Sequence, residues 1–297
     1  MISIKQIKYA LAVERQRHFR KAAEECAISQ SALSSALAEM ESQLGFQIFE
    51  RDNKKVLVTA RGEQLLNKAR EVNLQLEEIM KLSRDDQSPL SGPLSIGLIP
   101  TVAPYLLPAV LPHLRSQYPD LRLRIEEQQS AVLLDKVRRG DLDCAIIALP
   151  YEHSGLLSFA FYKEDFYWVS SASGNNQRKT IKASKVVDSD LLLLAEGHCL
   201  KDHALEACAL QAGNHYTVSD TSLATLVQLA AAGMGSTLVP EIALPYLVNG
   251  NPALTCARLN EPGPHRSLAI IIRPNFTATG DIQLLAKLFA QQLKSKK

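Results

Sequence analysis

The spacing of apolar residues in the first part of the chain predicts three helices. Apolar side chains recur at helical spacing from Ile4 onward, and two further periodic stretches follow. Ser29 is placed to cap the third helix and Gly45 to end it. Because a tight turn joins the second helix to the third, the pattern indicates a helix-turn-helix. The predicted helices cover residues 4–17, 19–26 and 30–44.

The next segment predicts a hairpin, or wing, followed by a long helix. Two apolar runs flank the polar residues 52–55, which places cations at the tip of the hairpin. Thr59 can cap the long helix, along which apolar residues step by four and three. That repeat favours a coiled-coil seam between two copies, although a helix packed on a core would look similar. The seam residues are Leu65, Ala69, Val72, Leu76 and Ile79.

Strands and helices alternate beyond a Pro- and Gly-containing linker at residues 87–93. This alternation predicts a parallel, doubly wound sheet. A second such unit is expected to begin near Phe166, so that two α/β subdomains enclose a cleft. The last strand and helix, 268–272 and 282–293, are expected to return to the first unit. The first unit has predicted strands 94–99, 121–125 and 144–149 and predicted helices 103–117 and 131–139.

These patterns divide the chain into three parts. An all-α winged helix-turn-helix covers residues 1–59, and a long linker helix covers residues 60–88. An α/β domain follows at residues 89–297. Within it, the first subdomain is expected at about 93–163 and 267–297, and the second at about 164–266.

The net charge of +2 is the sum of two unlike parts. Residues 1–70 hold 12 Lys and Arg against 8 Asp and Glu, whereas residues 71–297 hold 21 against 23. A basic N-terminal part on a near-neutral body favours a nucleic-acid partner, because phosphate neutralisation needs local positive charge. Charge asymmetry arising by chance is the alternative.

The chain has no run of 18 apolar residues, which argues against a membrane span and a membrane partner. Lys5, Lys8 and Glu14 interrupt the first apolar stretch. That pattern is typical of an amphipathic helix and not of a signal peptide. We therefore expect a cytoplasmic protein.

Five cysteines are present, and an odd number in a cytoplasmic chain argues against a structural disulfide framework. Cys199 is flanked by His198, Lys201 and His203, whose positive charges or hydrogen bonds would favour the reactive thiolate. Cys208, nine residues on, could condense with an oxidised Cys199. Two ordinary buried thiols, or a zinc site, remain alternatives. The other cysteines are Cys26, Cys144 and Cys256, of which Cys144 lies in an apolar strand.

An ordered set of N-terminal motifs resembles the winged helix-turn-helix of LysR-type transcriptional regulators. The motifs are Phe19-Arg20-Lys21-Ala22-Ala23, Ser29-Gln30-Ser31-Ala32-Leu33-Ser34, Leu44-Gly45, Phe49-Glu50-Arg51 and Thr59-Ala60-Arg61-Gly62. The resemblance implies that the third helix enters the major groove of promoter DNA, where Gln can read adenine and Ser several base edges. The wing cations would contact phosphates or the minor groove. The expected DNA-binding residues are Ser29, Gln30, Ser31, Ser34, Ser35, Arg51, Lys54 and Lys55.

The rest of the chain resembles the branch of that family that responds to hydrogen peroxide. The resemblance is carried by residues 92–108, 142–144, 197–202 with Cys208, and 221–223. It implies a regulatory domain of the periplasmic-binding-protein type in which peroxide oxidises Cys199 and Cys208 resolves the product as a disulfide. Thr101, Ser130, His198 and Asp202 would line the peroxide pocket, and Arg266 would pair with the thiolate.

The same resemblance implies a regulator that activates antioxidant genes and is not an enzyme, with no cofactor or metal. Its partners would be double-stranded promoter DNA, RNA polymerase and copies of itself. Two copies would join through the linker helix, and two dimers would form a tetramer. Oxidation would then rearrange the oligomer on DNA.

Three other functions fit parts of the pattern. A LysR-type regulator could bind a small metabolite in the cleft between subdomains, without thiol chemistry. A thiol-dependent peroxidase or cysteine hydrolase would use the same cysteines, but it would not need a helix-turn-helix. A solute-binding protein fits residues 93–297 alone and leaves the N-terminal domain unexplained.

Overall fold

The computed structural model describes residues 1–52, 55–82, 88–172, 179–187, 190–208, 216–218 and 221–295. The chain divides into two compact units, Met1–Asp86 and Gln87–Lys297. Each unit has a hydrophobic core of its own.

The N-terminal unit is the predicted winged helix-turn-helix. The Ser29 hydroxyl accepts a hydrogen bond from the Ala32 N–H at 3.2 Å, and Gly45 ends the third helix in the left-handed region at φ 74°. Thr59 caps the long helix by accepting from the Gly62 N–H at 2.9 Å. The elements are α1 (Ile4–Gln16), α2 (Phe19–Glu25), α3 (Gln30–Leu44), β1 (Phe49–Asp52), β2 (Lys55–Val58) and α4 (Ala60–Leu82).

The apolar seam of α4 divides into two stretches. Near its start, Ala69 is buried against the core of the N-terminal unit. Further along, Val72 is 43% exposed and Ile79 is 59% exposed. The first stretch therefore packs within the unit, whereas the second leaves apolar side chains uncovered, as a seam between two copies requires.

The first sheet of the C-terminal unit contains the predicted parallel core, and the last strand and helix return to it as expected. The strand order is β4-β3-β5-β13-β6, in which β3 pairs in parallel with β4 and β5, and β13 is antiparallel to its neighbours. Three helices, α5, α6 and α11, pack on this sheet. The bounds are β3 (Gly92–Leu98), α5 (Ala103–Gln117), β4 (Leu121–Glu127), α6 (Ser130–Arg139), β5 (Cys144–Leu149), β6 (Leu157–Glu164), β13 (Arg266–Ile272) and α11 (Thr279–Lys294).

The second sheet is mixed, so the second unit is not wholly parallel, contrary to the expectation, although its predicted strands 191–195 and 235–239 are bridged in parallel from Leu191 to Ser236. Its order is β11-β7-β12-β8, and both β11 and β12 run antiparallel to β7. β7 follows β6 after Asp165 alone but belongs to the other sheet, in which β8 pairs in parallel with β12. The strands are β7 (Phe166–Ser171), β8 (Thr180–Ile181), β11 (Ser236–Pro240) and β12 (Leu254–Leu259), with β9 (Leu192–Leu194) and β10 (Tyr216–Val218) forming a separate parallel pair.

Short helices complete the second subdomain. A 3₁₀ turn, Glu241–Ala243, leads directly into α10. The chain crosses between subdomains at Asp165 and returns through residues 260–265. Among the described residues, every helix is too short or too polar to cross a membrane. The α-helices are α7 (Ala183–Val187), α8 (Cys199–Ala207), α9 (Leu223–Ala231) and α10 (Leu244–Leu247).

Candidate functional site

Cys199 is the first residue of α8 and is only 3% exposed. Gly197, two residues earlier, has φ 89°, and a Cβ there would lie 2.5 Å from the Gln129 Oε1. The positive φ favours glycine for the turn, and the absence of a Cβ leaves room for the Gln129 amide. The turn places the thiol at a helix N-terminus, where the partial positive charge of the helix dipole favours a thiolate.

A narrow crevice with about 170 Å³ of empty space lies in front of Cys199. Three of the predicted pocket residues meet there: Thr101 and Ser130 are buried and His198 is half-buried. The described side chains leave no volume for the centre of a water molecule. Peroxide would therefore have to widen the crevice on entry. Asp202, also predicted in the pocket, lies one helical turn on, is exposed and does not line the crevice.

Arg266 begins β13, and its side chain is completely buried. Its Nε donates to the Glu164 Oε1 at 2.8 Å, and its other nitrogens donate to the Thr101 hydroxyl at 3.1 Å and carbonyl at 3.3 Å. The guanidinium also lies 5.9 Å from the centre of the Phe166 ring. Arg266 is therefore not a surface residue, and its fixed positive charge lies next to Thr101.

The pKa of Cys199 is set by opposing influences. Burial raises the pKa of the thiol above its ordinary value, and the charge of Asp202 adds to that rise. The charge of Arg266 and the nearby Ser130 hydroxyl and Ala148 backbone favour the thiolate and lower the pKa. Burial is the largest influence, so the closed crevice keeps the thiol mostly protonated.

The neighbours of Cys199 along the chain play a smaller part than the sequence indicated. Burial lowers the pKa of both His198 and His203, which keeps the two rings neutral. His203 Nε2 lies 2.7 Å from the Pro150 carbonyl oxygen, and Lys201 pairs with Glu196 at 3.7 Å. The positive charge that acts on the thiol comes from Arg266, which is 67 positions away in the sequence.

Cys208 is the C-cap of α8 and is also buried. Burial raises the pKa of Cys208 to about 12, with a further contribution from the charge of Glu261. Both thiols are free in this structure. A helix rises about 1.5 Å per residue, so nine residues separate the two Cα atoms by roughly 13 Å. A disulfide needs a Cα separation of about 5.5 Å, so α8 must unwind before the bond can form.

Glu164 and Gln129 are site residues that the sequence interpretation missed. Glu164 accepts from Arg266 and also from the Ile242 N–H at 2.8 Å. Burial raises the pKa of Glu164, and the charge of Arg266 opposes that rise. The sequence carried one signal for it: Glu164 is two residues after Tyr162, in phase on the buried face of β6.

The remaining thiols lie elsewhere, and Cys144 is completely buried in β5 as expected. Cys26 and Cys256 are partly buried. Across the described part of the chain, no three His, Cys, Asp or Glu side chains converge in a metal-binding arrangement. Within that part, no group of side chains supports the alternative of a zinc site.

The predicted DNA-reading residues lie at the start of α3. Leu33 and Leu37 are buried on its opposite face. Ser34 is half-buried, and the Ser29 and Ser31 hydroxyls are 3.0 Å apart. Lys54 lies outside the described residues, as do the side chains of Arg51 and Lys55 on the wing strands. The exposed residues of the set are Ser29, Gln30, Ser31 and Ser35.

Two family models together match most of the chain. Residues 4–63 match the bacterial regulatory helix-turn-helix proteins of the lysR family, and residues 87–294 match the LysR substrate binding domain. The chain belongs to the LysR family of transcriptional regulators. The helix-turn-helix of this LysR-family protein and its two-subdomain regulatory unit agree with that membership.

Individual relatives extend over nearly the whole chain. A probable hydrogen peroxide-inducible genes activator of Streptomyces viridosporus is 36% identical, covering 98% of this chain and 95% of the relative. The HTH-type transcriptional regulator EstR of Acinetobacter baylyi is also 36% identical, covering 91% of this chain and 90% of the relative. The structure of full-length OxyR from Pseudomonas aeruginosa, a variant, superposes with a TM-score of 0.83 at 33% identity and covers 98% of both chains.

Proposed function

We propose that this LysR-family regulator senses hydrogen peroxide by oxidation of Cys199 and disulfide formation with Cys208. The observation that carries the proposal is the arrangement of α8. Its first residue is a buried thiol beside Arg266, Thr101 and Ser130, and its C-cap is a second thiol. The similarity to hydrogen peroxide-inducible activators and to OxyR supports the same function.

The chemistry takes two balanced steps. The Cys199 thiolate attacks one peroxide oxygen, the O–O bond breaks, and hydroxide leaves and takes up a proton to become water. The resulting sulfenic acid is attacked by the Cys208 sulfur, which forms the S–S bond and releases a second water. Arg266 stabilises the attacking thiolate, and the Thr101 hydroxyl, held by Arg266, orients the peroxide.

Other pocket residues support these steps. The Ser130 hydroxyl, which has no other hydrogen-bond partner among the described residues, can donate to the thiolate, and neutral His198 borders the crevice. Asp202 acts at a distance, since its charge raises the pKa of Cys199. None of this requires a cofactor. One oxidation per chain is enough for a regulatory signal, so the proposed function is regulation and not sustained turnover of peroxide.

The conformational signal follows from the geometry of α8. Bringing two Cα atoms from roughly 13 Å to about 5.5 Å breaks most of the helix. The local refolding alters the surface of the regulatory domain and hence the pairing of its copies. The exposed stretch of α4 with Val72 and Ile79 joins two chains, and two such dimers form the tetramer.

The domain assignment completes the proposal. Residues 1–59 bind operator DNA, residues 60–88 dimerise, and residues 89–297 sense peroxide. Ser29, Gln30, Ser31, Ser34 and Ser35 face the major groove, and the wing cations Arg51, Lys54 and Lys55 contact the backbone. A dimer presents two recognition helices, so its operator is an approximate palindrome. The protein acts on DNA in the cytoplasm and recruits RNA polymerase to antioxidant genes.

Mass spectrometry of the full-length protein after one equivalent of peroxide tests the mechanism. The wild type is expected to lose two hydrogens and to show a Cys199–Cys208 cross-linked peptide. Cys199→Ser abolishes the product, Cys208→Ser retains an oxidised Cys199, and Cys256→Ser, the matched control, behaves as the wild type. A wild-type protein that remains fully reduced, or that links other cysteines, overturns the proposal.

The second candidate is a LysR-family regulator that binds a small metabolite between the subdomains. One observation favours it: EstR is as similar in sequence as the peroxide-inducible relative, and its name specifies no peroxide response. Under this alternative, peroxide produces no Cys199–Cys208 bond, and Cys199→Ser leaves the transcriptional response intact.

A further inference from the structure

A second cavity lies in the C-terminal unit, and its lining differs from that of the Cys199 crevice. Its volume is about 250 Å³, and residues of both subdomains line it. Besides Asn249, its polar side chains are four tyrosines and one carboxylate. These are Tyr105 on α5, Tyr162 on β6, Tyr167 on β7, Tyr246 on α10 and Glu241 in the 3₁₀ turn before α10.

The tyrosine rings form a partly enclosed aromatic surface. The Tyr105 and Tyr246 rings are tilted by 47° with centroids 5.7 Å apart. Tyr105 and Tyr162 are buried, whereas Tyr246 is 43% exposed at the rim. The faces of aromatic rings carry negative partial charge, and several of them around one cavity attract an organic cation.

The charged groups of the cavity also favour a positively charged ligand. Glu241 supplies a carboxylate, which only accepts hydrogen bonds and repels anions. No Lys, Arg or His occurs among the described residues of the lining. Burial raises the pKa of Tyr105 to about 12, so its hydroxyl stays neutral at physiological pH.

Two arginines behind the lining already have carboxylate partners. Arg266, whose charge acts on Tyr105, pairs with Glu164. Arg258, which interacts electrostatically with Glu241 and Tyr167, pairs with Asp165. These pairs reduce the positive potential inside the cavity, since each guanidinium faces an opposite charge.

We propose that this cavity binds a small organic cation, of the alkylammonium or arylammonium class, with the charge on the tyrosine faces and near Glu241. The proposal does not depend on thiol chemistry. The site nevertheless adjoins the redox crevice through its wall residue Ile242, whose N–H donates to Glu164, the partner of Arg266.

Calorimetric titration of the reduced full-length protein with benzyltrimethylammonium chloride tests the proposal. We expect saturable binding of one cation per chain. Two compounds with a similar ring are the controls: benzyl alcohol, which is uncharged, and phenylacetate, which is negatively charged. Both should bind at least ten times more weakly than the cation. Absence of saturable binding, or binding of phenylacetate as tight as that of the cation, overturns the proposal.

Three variants locate the binding. Glu241→Gln removes the charge with little change of shape and should weaken cation binding about tenfold or more, while leaving benzyl alcohol unaffected. Tyr246→Ala, at a partly exposed position, should weaken it similarly without opening a core cavity. Glu152→Gln, an exposed carboxylate of the same unit outside the lining, is the matched control and should bind like the wild type. Unchanged affinity in both cavity variants contradicts this site.

Discussion

Arg266 and Glu164 form an ion pair 2.8 Å apart in which both side chains are 0% exposed. The two residues face each other on neighbouring strands β13 and β6. Glu164 is the last residue before the chain leaves the first subdomain, and Arg266 is the first residue of β13 after it returns. The pair therefore fixes the point where the subdomains join, and through Thr101 it connects that point to the thiol crevice.

Loss of the Glu164 charge should destabilise the regulatory unit. Glu164→Gln leaves the buried Arg266 charge without its counterion, a change that typically costs about 3–5 kcal/mol. Trp168, the only tryptophan of the chain, lies on β7 and reports unfolding of this unit by its fluorescence in urea. The control Asp135→Asn breaks an exposed pair with Arg139 and should cost less than about 1 kcal/mol. Equal costs for the two variants would show that the buried pair has no special role.

The reaction of Cys199 with peroxide should accelerate with pH. Because burial raises the pKa of this thiol above its ordinary value, the thiolate fraction still grows as pH increases from 7 to 9. Stopped-flow measurement of thiol loss should therefore show a rate that climbs through this interval without a plateau. A rate already constant at pH 7 would mean that the thiolate is fully formed at neutrality, in conflict with the closed crevice.

Replacing Arg266 should shift the pH dependence of this reaction to higher pH. Arg266→Gln removes the positive charge that lowers the pKa of Cys199 and should slow the reaction at pH 7 about tenfold. The variant also leaves Glu164 unpaired, so Trp168 fluorescence must first show that it is folded. The readout is a shift of the profile to higher pH, since loss of structure would expose the thiol, remove the effect of burial and shift the profile to lower pH.

Cys208 should make the regulatory unit less stable in alkali. Its folded pKa is about 12, whereas an unfolded thiol titrates near 9. The protonated thiol therefore contributes stability that is complete below pH 9 and is lost as pH rises toward 12, by about 1.4 kcal/mol per pH unit. Urea unfolding from pH 8 to 10 should show a steeper decline for the wild type than for Cys208→Ser. Parallel declines would contradict the assigned burial effect.

Gln30 should contribute to sequence reading by the recognition helix. Gln30→Ala removes an exposed amide at the start of α3 and should reduce discrimination between operator and unrelated DNA by about 1–3 kcal/mol. Gln43→Ala, exposed at the far end of the same helix, is the control. Fluorescence anisotropy with a selected operator and a scrambled duplex measures both. Equal weakening on both duplexes would assign Gln30 to backbone contact alone.

The winged helix-turn-helix was predictable because its determinants are local. Ser29, Gly45 and Thr59 act on the turns next to them, and the predicted bounds of α3 agree with the structure. The redox crevice was only partly predictable. Its residues lie at the starts of three different elements: Thr101 before α5, Ser130 in α6 and Cys199 in α8. Local patterns do not predict that they meet, and only the family resemblance placed them in one pocket.

The supporting residues of the crevice could not be predicted because their partners are remote in the chain. Glu164 and Arg266 both carry charges that are typical of a protein surface, and only the pairing of β6 with β13 shows that they are buried together. The mixed second sheet was missed for a related reason. Apolar runs indicate strands, but they do not indicate strand direction or which strands pair.

The position of the two thiols at opposite ends of α8 has a consequence for timing. In the proposed mechanism, oxidation of Cys199 requires only that peroxide reach the crevice, whereas the cross-link must wait for α8 to unwind. The sulfenic acid would therefore have a lifetime set by helix opening. During that interval one small thiol can condense with it to a mixed disulfide and a second can release the Cys199 thiol, so the rate of helix opening decides what fraction of oxidised chains becomes cross-linked.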